Sequence, residues 1–231
     1  MSEPKKPRFL GGCFSRLLFL ILLATLGGLI TAVYFVTLPQ DMSDLGGHGP
    51  AVKATPPRDM KAVLQSAIDR NYAVNLSEAE LNQWIASTLY LRQGGVLQKD
   101  ITLEHFRVRL EEGRAELILE RRVFGRPFTV SMYFQVDKEQ SGREIITTFN
   151  PAGGRFLKDY DFPQKGGRLG RLVVPQGFLH LLIPSFEKIA ALYADETELA
   201  FSRMQRVRIE EDRLVLDPRE PLGDQGMPQT F

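Results

Sequence analysis

Few residues in this chain stand in a pattern that could do covalent chemistry. Asp159 and Asp161, in KDYDFP, are spaced as paired carboxylates for general acid–base work, but two acids in such a stretch are also the ordinary make-up of a solvated turn. GGRLGR at 166–171 is Gly-rich and basic, as a phosphate cradle must be, yet it lacks the GxGxxG spacing. His48, His105 and His180 are scattered, so no metal-ligand spacing arises and neither a metal nor another cofactor is expected. The single cysteine, Cys13, follows Leu10-Gly11-Gly12 in the manner of a lipid-attachment box, but the apolar run that should precede it comes after it. The remainder of the chain therefore has no disulfide and no thiol chemistry. GxSxG, HExxH, SxxK and Walker patterns are all missing. The expectation is a protein that is not an enzyme.

The surplus lies in apolar side chains, many of them rings. Phe106, Phe128, Met132, Phe134, Phe149, Phe156, Phe162, Phe178 and Phe186 are a heavy complement for one domain. Taken singly, each is ordinary core filler. Taken together, they predict an apolar groove between a sheet and a helix, suited to a lipid or another acyl chain. Phe128, Met132 and Phe134 would line it from the sheet, and Phe178, Leu182, Phe186 and Ile189 from the helix. Arg155, Lys158, Lys165, Arg168 and Arg171 crowd the stretch before that helix. They suit a phosphate-rich membrane surface at about 1 kcal/mol per basic residue, and equally a solvated turn.

These residues depend on an element that brings them to a bilayer. Leu17 to Leu38 carries no charge and no polar face, and as a helix it spans roughly 33 Å at about 1.5 Å per residue. It is too long for the core of a signal peptide, and bulky residues occupy the place of a small-residue cleavage site. Lys5, Lys6, Arg8 and Arg16 precede it, while Asp41 and Asp44 follow. The reading is a single-pass transmembrane anchor (17–38) behind a cytoplasmic basic N-terminus (1–16), with everything after it extracytoplasmic. Pro- and Gly-rich 39–58 reads as a flexible stalk, 59–217 as one domain and 218–231 as a disordered tail. A net charge of +1 gives no field that would favour nucleic acid.

Within the domain, Asp59 caps a helix over Asp59–Asn71, and Ser77 with Glu80 forms a capping box that opens another carrying Leu81, Trp84, Ile85 and Leu89. From Ile101 the apolar period becomes two. Phe106, Val108 and Leu110 form one strand, Glu112-Gly113 turns, and Ala115 to Val123 returns. Phe128 to Val136 alternates most cleanly, and Glu144 to Asn150 makes a fourth strand. The apolar parity shifts near His105, which predicts a β-bulge. Residues 151–175 read as a long connection. A helical region from Gln176 to about Met204 should bend or restart at Pro184, and a hairpin over Gln205–Glu210 and Arg213–Asp217 closes the fold. The fold class is α+β, with a curved antiparallel meander packed around a long, Pro-kinked helix.

The succession of an apolar helix, LSEAELNQWI, EEGRAELILERRVFGRPFTVSMYF, GGRLGRLVVPQGFLHLLIPSF and RVRIEEDRLVL resembles the small membrane-anchored envelope proteins of the YpmS and YceB kind, which are similar to half-modules of the tubular lipid-binding (TULIP) superfamily. The resemblance covers about residues 72–217. It implies a bent sheet wrapped about a long helix, an apolar interior that holds membrane lipid, and no catalytic residue. A different class of function stays open beside it: a ligand-free assembly domain docking onto another envelope membrane protein.

Overall fold

The computed structural model describes residues 13–46, 58–92, 101–141 and 144–220. Lys5, Lys6, Arg8, His48 and the tail from 221 lie outside them. The fold is α+β. Helix α1, Cys13–Thr37, is uncharged from Leu17 onward, and none of its most apolar window is buried among the described residues. Thr25 and Thr31 return their hydroxyls to Ile21 O and Gly27 O, both at 2.8 Å, which satisfies them without an outside partner. The helix is long and apolar enough to cross a membrane, and it is compatible with single-pass anchoring.

Helix α2, Met60–Arg70, begins at Asp59, whose carboxylate accepts from Ala62 N. Strand β1, Val74–Ser77, leads directly into helix α3, Glu78–Arg92. The capping box forms: Ser77 Oγ accepts from Glu80 N at 3.2 Å, and Glu80 Oε2 accepts from Ser77 N at 3.1 Å. The meander follows as β2, Ile101–Glu111; β3, Arg114–Val123; β4, Arg126–Ser141; and β5, Glu144–Pro151. The β2–β3 register slips between Leu103 and His105, where the parity shift predicted a bulge.

Residues 151–175 differ from expectation. They are mostly strand: β6, Arg155–Leu157; β7, Tyr160–Leu169; and β8, Leu172–Pro175. β4 is 16 residues long and shares one edge between two partners, β5 along Phe134–Ser141 and β7 along Val130–Met132. The glycines that suggested a loop mark close approach. A Cβ on Gly167 would stand 2.0 Å from Ser131 O, and one on Gly153 would stand 2.2 Å from Lys165 O.

After a 3₁₀ turn at Gln176–Phe178, helix α4 runs Leu179–Leu192 straight through Pro184. The proline, sixth residue of the helix, forfeits the bond to His180 O, and packing of Leu182, Phe186 and Ile189 in the core holds the helix through it. The helix does not restart at Pro184; it ends at Tyr193 (φ −119°, ψ 27°), before the short α5, Ala194–Thr197, and a π turn over Glu198–Ser202. Strands β9, Arg206–Glu210, and β10, Arg213–Asp217, join β1 in a second sheet, order β1-β10-β9.

The expected stalk is also corrected in part. Residues 39–46 do not hang free but lie as a strap across the large sheet. Gln40 N donates to Thr129 Oγ1 at 2.8 Å, Leu45 is buried, and Gly46 N donates to Glu78 Oε1 at 2.9 Å. The rest of the predicted stalk, 47–57, lies outside the described residues.

Candidate functional site

Two apolar clusters fill the interior. One gathers Met60, Leu64, Leu76, Met204 and Leu216 between α2 and the small sheet; the other gathers Leu119, Val130, Leu182, Phe186 and Ile189 between the large sheet and α4. They do not close against one another. A hollow of about 490 Å³ takes its walls from both. Packed interiors leave few voids larger than a water molecule, and a cavity of about 150 Å³ already accepts a benzene ring. A space of this size falls within the usual range of small-molecule pockets.

The position of the mouth follows from exposure. Phe149 and Pro151 on β5 and Glu187 and Ala190 on α4 line the hollow and are also solvent-exposed. Residues that do both mark an opening, so the hollow opens between the end of β5 and α4. Among the described lining residues, Glu187, Glu196 and Thr197 supply the carboxylates and the aliphatic hydroxyl, all on the α4–α5 side. Trp84 stands in the wall with its ring 5.1 Å from that of Tyr193. The periodicity of β3 and β4 explains the apolar lining: Ala115, Leu117, Met132 and Phe134 alternate onto this face.

Of the seven predicted lining residues, Met132, Phe134, Phe186 and Ile189 reach the hollow. Phe128 and Leu182 face the same side but are absorbed in the packed cluster beneath Val130 and Leu179, outside the lining. Phe178 is a correction: it is 48% exposed, because the 3₁₀ turn before α4 points it away from the sheet. Residues outside the predicted seven, such as Trp84 on α3, Phe106 on β2 and Tyr193 at the end of α4, complete the wall.

The five basic residues expected at a membrane surface do not act together. Arg155 pairs with Asp161 at 2.5 Å at the β6–β7 tip, where Lys158 is also exposed. Lys165 is half-buried on β7. Arg171 donates from Nε to Pro39 O at 3.2 Å, holding the start of the strap. Arg168 turns onto the opposite face of the sheet.

There it meets a group the motif search passed over. Glu116 is fully buried on the outer face of β3. Its Oε1 accepts from Ser131 Oγ at 2.5 Å and Gln40 Nε2 at 3.0 Å, and Arg168 Nε stands 3.5 Å away. Its Oε2 accepts from Arg109 Nη1 at 2.7 Å, and Arg109 continues through Nη2 to Asp44 Oδ1 at 2.9 Å. Burial opposes the Arg109 charge, but Glu116 and Asp44 together raise its pKa. Tyr133 OH accepts from Arg168 Nε at 2.7 Å, and burial, reinforced by Glu116, pushes that phenol up to about 12. In sequence, Glu116 looks like any polar residue alternating outward. Only the strap laid over it makes it interior.

Fold and site thus define an α+β domain with an open apolar hollow, joined without slack to an apolar helix. No protein-family model matches the chain, and no curated protein does either.

Proposed function

We propose that the domain binds a lipid or other acyl-chain ligand non-covalently in the hollow, while α1 anchors it as a single-pass helix with the N-terminus cytoplasmic and the domain outside. The observation that carries the reading is the hollow itself, about 490 Å³ of apolar-walled space with a mouth between β5 and α4. Burying a chain there gains about 0.8 kcal/mol per methylene withdrawn from water. The walls need no rearrangement to receive it. The carboxylates on the α4–α5 side disfavour an acidic headgroup inside, so the head of a phospholipid would remain at the mouth.

Trp84 is the chain's one tryptophan and it lines the hollow, so it is a built-in reporter. In nanodiscs of chain-brominated phosphatidylcholine, the fluorescence of the full chain should fall well below its value in unbrominated discs. A long-chain competitor without bromine should restore it. Equal fluorescence in both discs would refute acyl entry.

An assembly role is favoured by a separate observation. Leu157, Tyr160 and Phe162 crowd exposed around the β6–β7 tip, as expected where another protein docks. Under that reading, Trp84 stays unquenched and the tip becomes protected on complex formation.

A further inference from the structure

The strap shows which end of the large sheet faces the bilayer. Where α1 ends, Arg171 N donates to Phe35 O at 3.0 Å and Gly170 N to Thr129 O at 2.8 Å. A Cβ on Gly170 would strike Val36 O at 2.4 Å, so the helix end is seated directly on the β7–β8 turn. From there the chain passes Thr129, then Glu116, which is level with Tyr133, then Arg109, and reaches Glu78 at Gly46. Gln40 makes the first two contacts and Arg109 lies level with Glu116, so the strap crosses the strands. Its net displacement, from the level of Thr129 to that of Leu110, is away from the β3–β4 turn. The chain leaves the anchor in that direction, so the β3–β4 turn is the end of the sheet that points back toward the anchor. It overshoots Thr129 by five residues, or roughly 16 Å at about 3.3 Å per residue.

That turn has an unusual composition for its geometry. Phe124 (φ 49°) and Gly125 (φ 79°) adopt the left-handed pair of a two-residue hairpin, a place where Asn-Gly is favoured and a bulky ring is disfavoured. Phe124 is nevertheless 87% exposed, so burial among the described residues does not offset the conformational cost. Basic residues flank it. Arg122 pairs with Glu104 at 2.7 Å, whereas Arg121 and Arg126 have no ion pair among the described residues. Tyr34 and Phe35, exposed near the end of α1, form the ring-bearing girdle expected where a helix leaves a bilayer.

We infer that the β3–β4 hairpin is a membrane-contact element: Phe124 enters the interfacial layer of the bilayer spanned by α1, and Arg121 and Arg126 bind the phosphates of its acidic lipids. This rests on reading α1 as an anchor. It fixes the domain in one orientation, a consequence that a flexible stalk would not have. It also moves the membrane surface away from the β6–β7 tip, which lies at the far end of β7 from the seat of α1.

The test uses the full chain with Cys13→Ser and one new cysteine carrying an environment-sensitive fluorophore, at Phe124, at Asp159 on the β6–β7 tip, or at Leu26 within α1. The variants are reconstituted into phosphatidylcholine vesicles with and without phosphatidylglycerol. Nitroxide on the lipid chains should quench the label at 124 several-fold more than the label at 159, with iodide in the water showing the reverse order. Quenching at 26 but not at 124 overturns this inference alone. Failure at 26 removes the anchor reading with it, and Trp84 quenching reports on the hollow separately. Adding Arg121→Gln and Arg126→Gln should abolish the extra depth that phosphatidylglycerol gives; an unchanged depth overturns the headgroup contact. Phe124→Asn should hold or raise the thermal midpoint in detergent. A clear fall would make Phe124 a packing residue and defeat the proposal.

Discussion

The two faces of β3 and β4 are built from alternate residues of the same strands, yet they solve opposite problems. The inner face presents Ala115, Leu117, Met132 and Phe134 to a space the chain does not fill. The outer face presents Glu116, Ile118, Thr129 and Ser131, each essentially inaccessible to solvent, with Gln40 of the strap bonded to Glu116 and Thr129. An apolar wall tolerates emptiness, because an unfilled site costs it only lost dispersion contacts. A buried carboxylate tolerates none, because each unpaired lone pair carries a desolvation penalty. The outer face therefore reads as the fixture that locks the domain to α1, and the inner face as the place the chain leaves unfilled.

The sharpest way to break this contrast is to unpair the outer node. Glu116→Gln keeps the shape but removes the buried countercharge of Arg109, whose side chain is only 13% exposed, leaving it the exposed Asp44 alone. Removing one partner of a buried pair costs about 3–5 kcal/mol. The expected outcome is a loss of that size in denaturant unfolding, with proteolysis newly admitted at residues 39–46. If stability barely changes, the strap is not the lock described above.

The next effect comes from Tyr133, which is held up to about 12 by burial. A raised acid pKa means the native state keeps a proton that the unfolded chain gives up near pH 10. Stability from this group is whole below pH 10 and lost as pH climbs toward 12, at up to about 1.4 kcal/mol per pH unit. Thermal melts across that window should show the alkaline decline, and Tyr133→Phe should flatten it. At the acid end, hydrogen bonds from Arg219, opposed by burial and assisted by the charge of Arg206, hold Asp217 far below the usual carboxylate range. Its contribution is present above about pH 4 and is lost only as pH falls below that.

What could be read from the chain before any coordinates was whatever local periodicity encodes. The 2.0 period from Phe128 to Val136 gave β4 and its inward rings, and Ser77 with Glu80 marked the start of α3. The parity slip at His105 marked the bulge. The misread parts depend on long-range contact. Gly153, Gly166 and Gly167 look like loop residues unless another backbone is known to pass within a side chain's width. Pro184 looks like a helix break unless the helix is known to be packed on both sides of it, at Leu182 and Phe186. Gln40 and Glu116 are 76 residues apart, and no local pattern joins them. The hollow was half legible for the same reason. Alternation chose Met132 and Phe134, but α3 and the turn at Tyr193 close the wall only in three dimensions.

The smallest predicted effect decides most about the inner face. Phe134 lines the hollow and stacks loosely on Phe149, centroid to centroid 6.0 Å. In a filled core, Phe→Ala costs about 3–5 kcal/mol, much of it for the cavity left behind. Here the cavity already exists, so Phe134→Ala enlarges a space instead of creating one, and about 1–2 kcal/mol should be lost. Phe186 is the internal control. It is buried among Leu179, Leu182 and Ile189 as well as facing the hollow, so Phe186→Ala should fall nearer the full core penalty. Quenching of Trp84 by brominated lipid should weaken in the Phe134 variant despite its near-native stability. Equal, large losses for both phenylalanines, with quenching unaltered, would mean that the inner face is as tightly filled as the outer one and that the contrast between them is false.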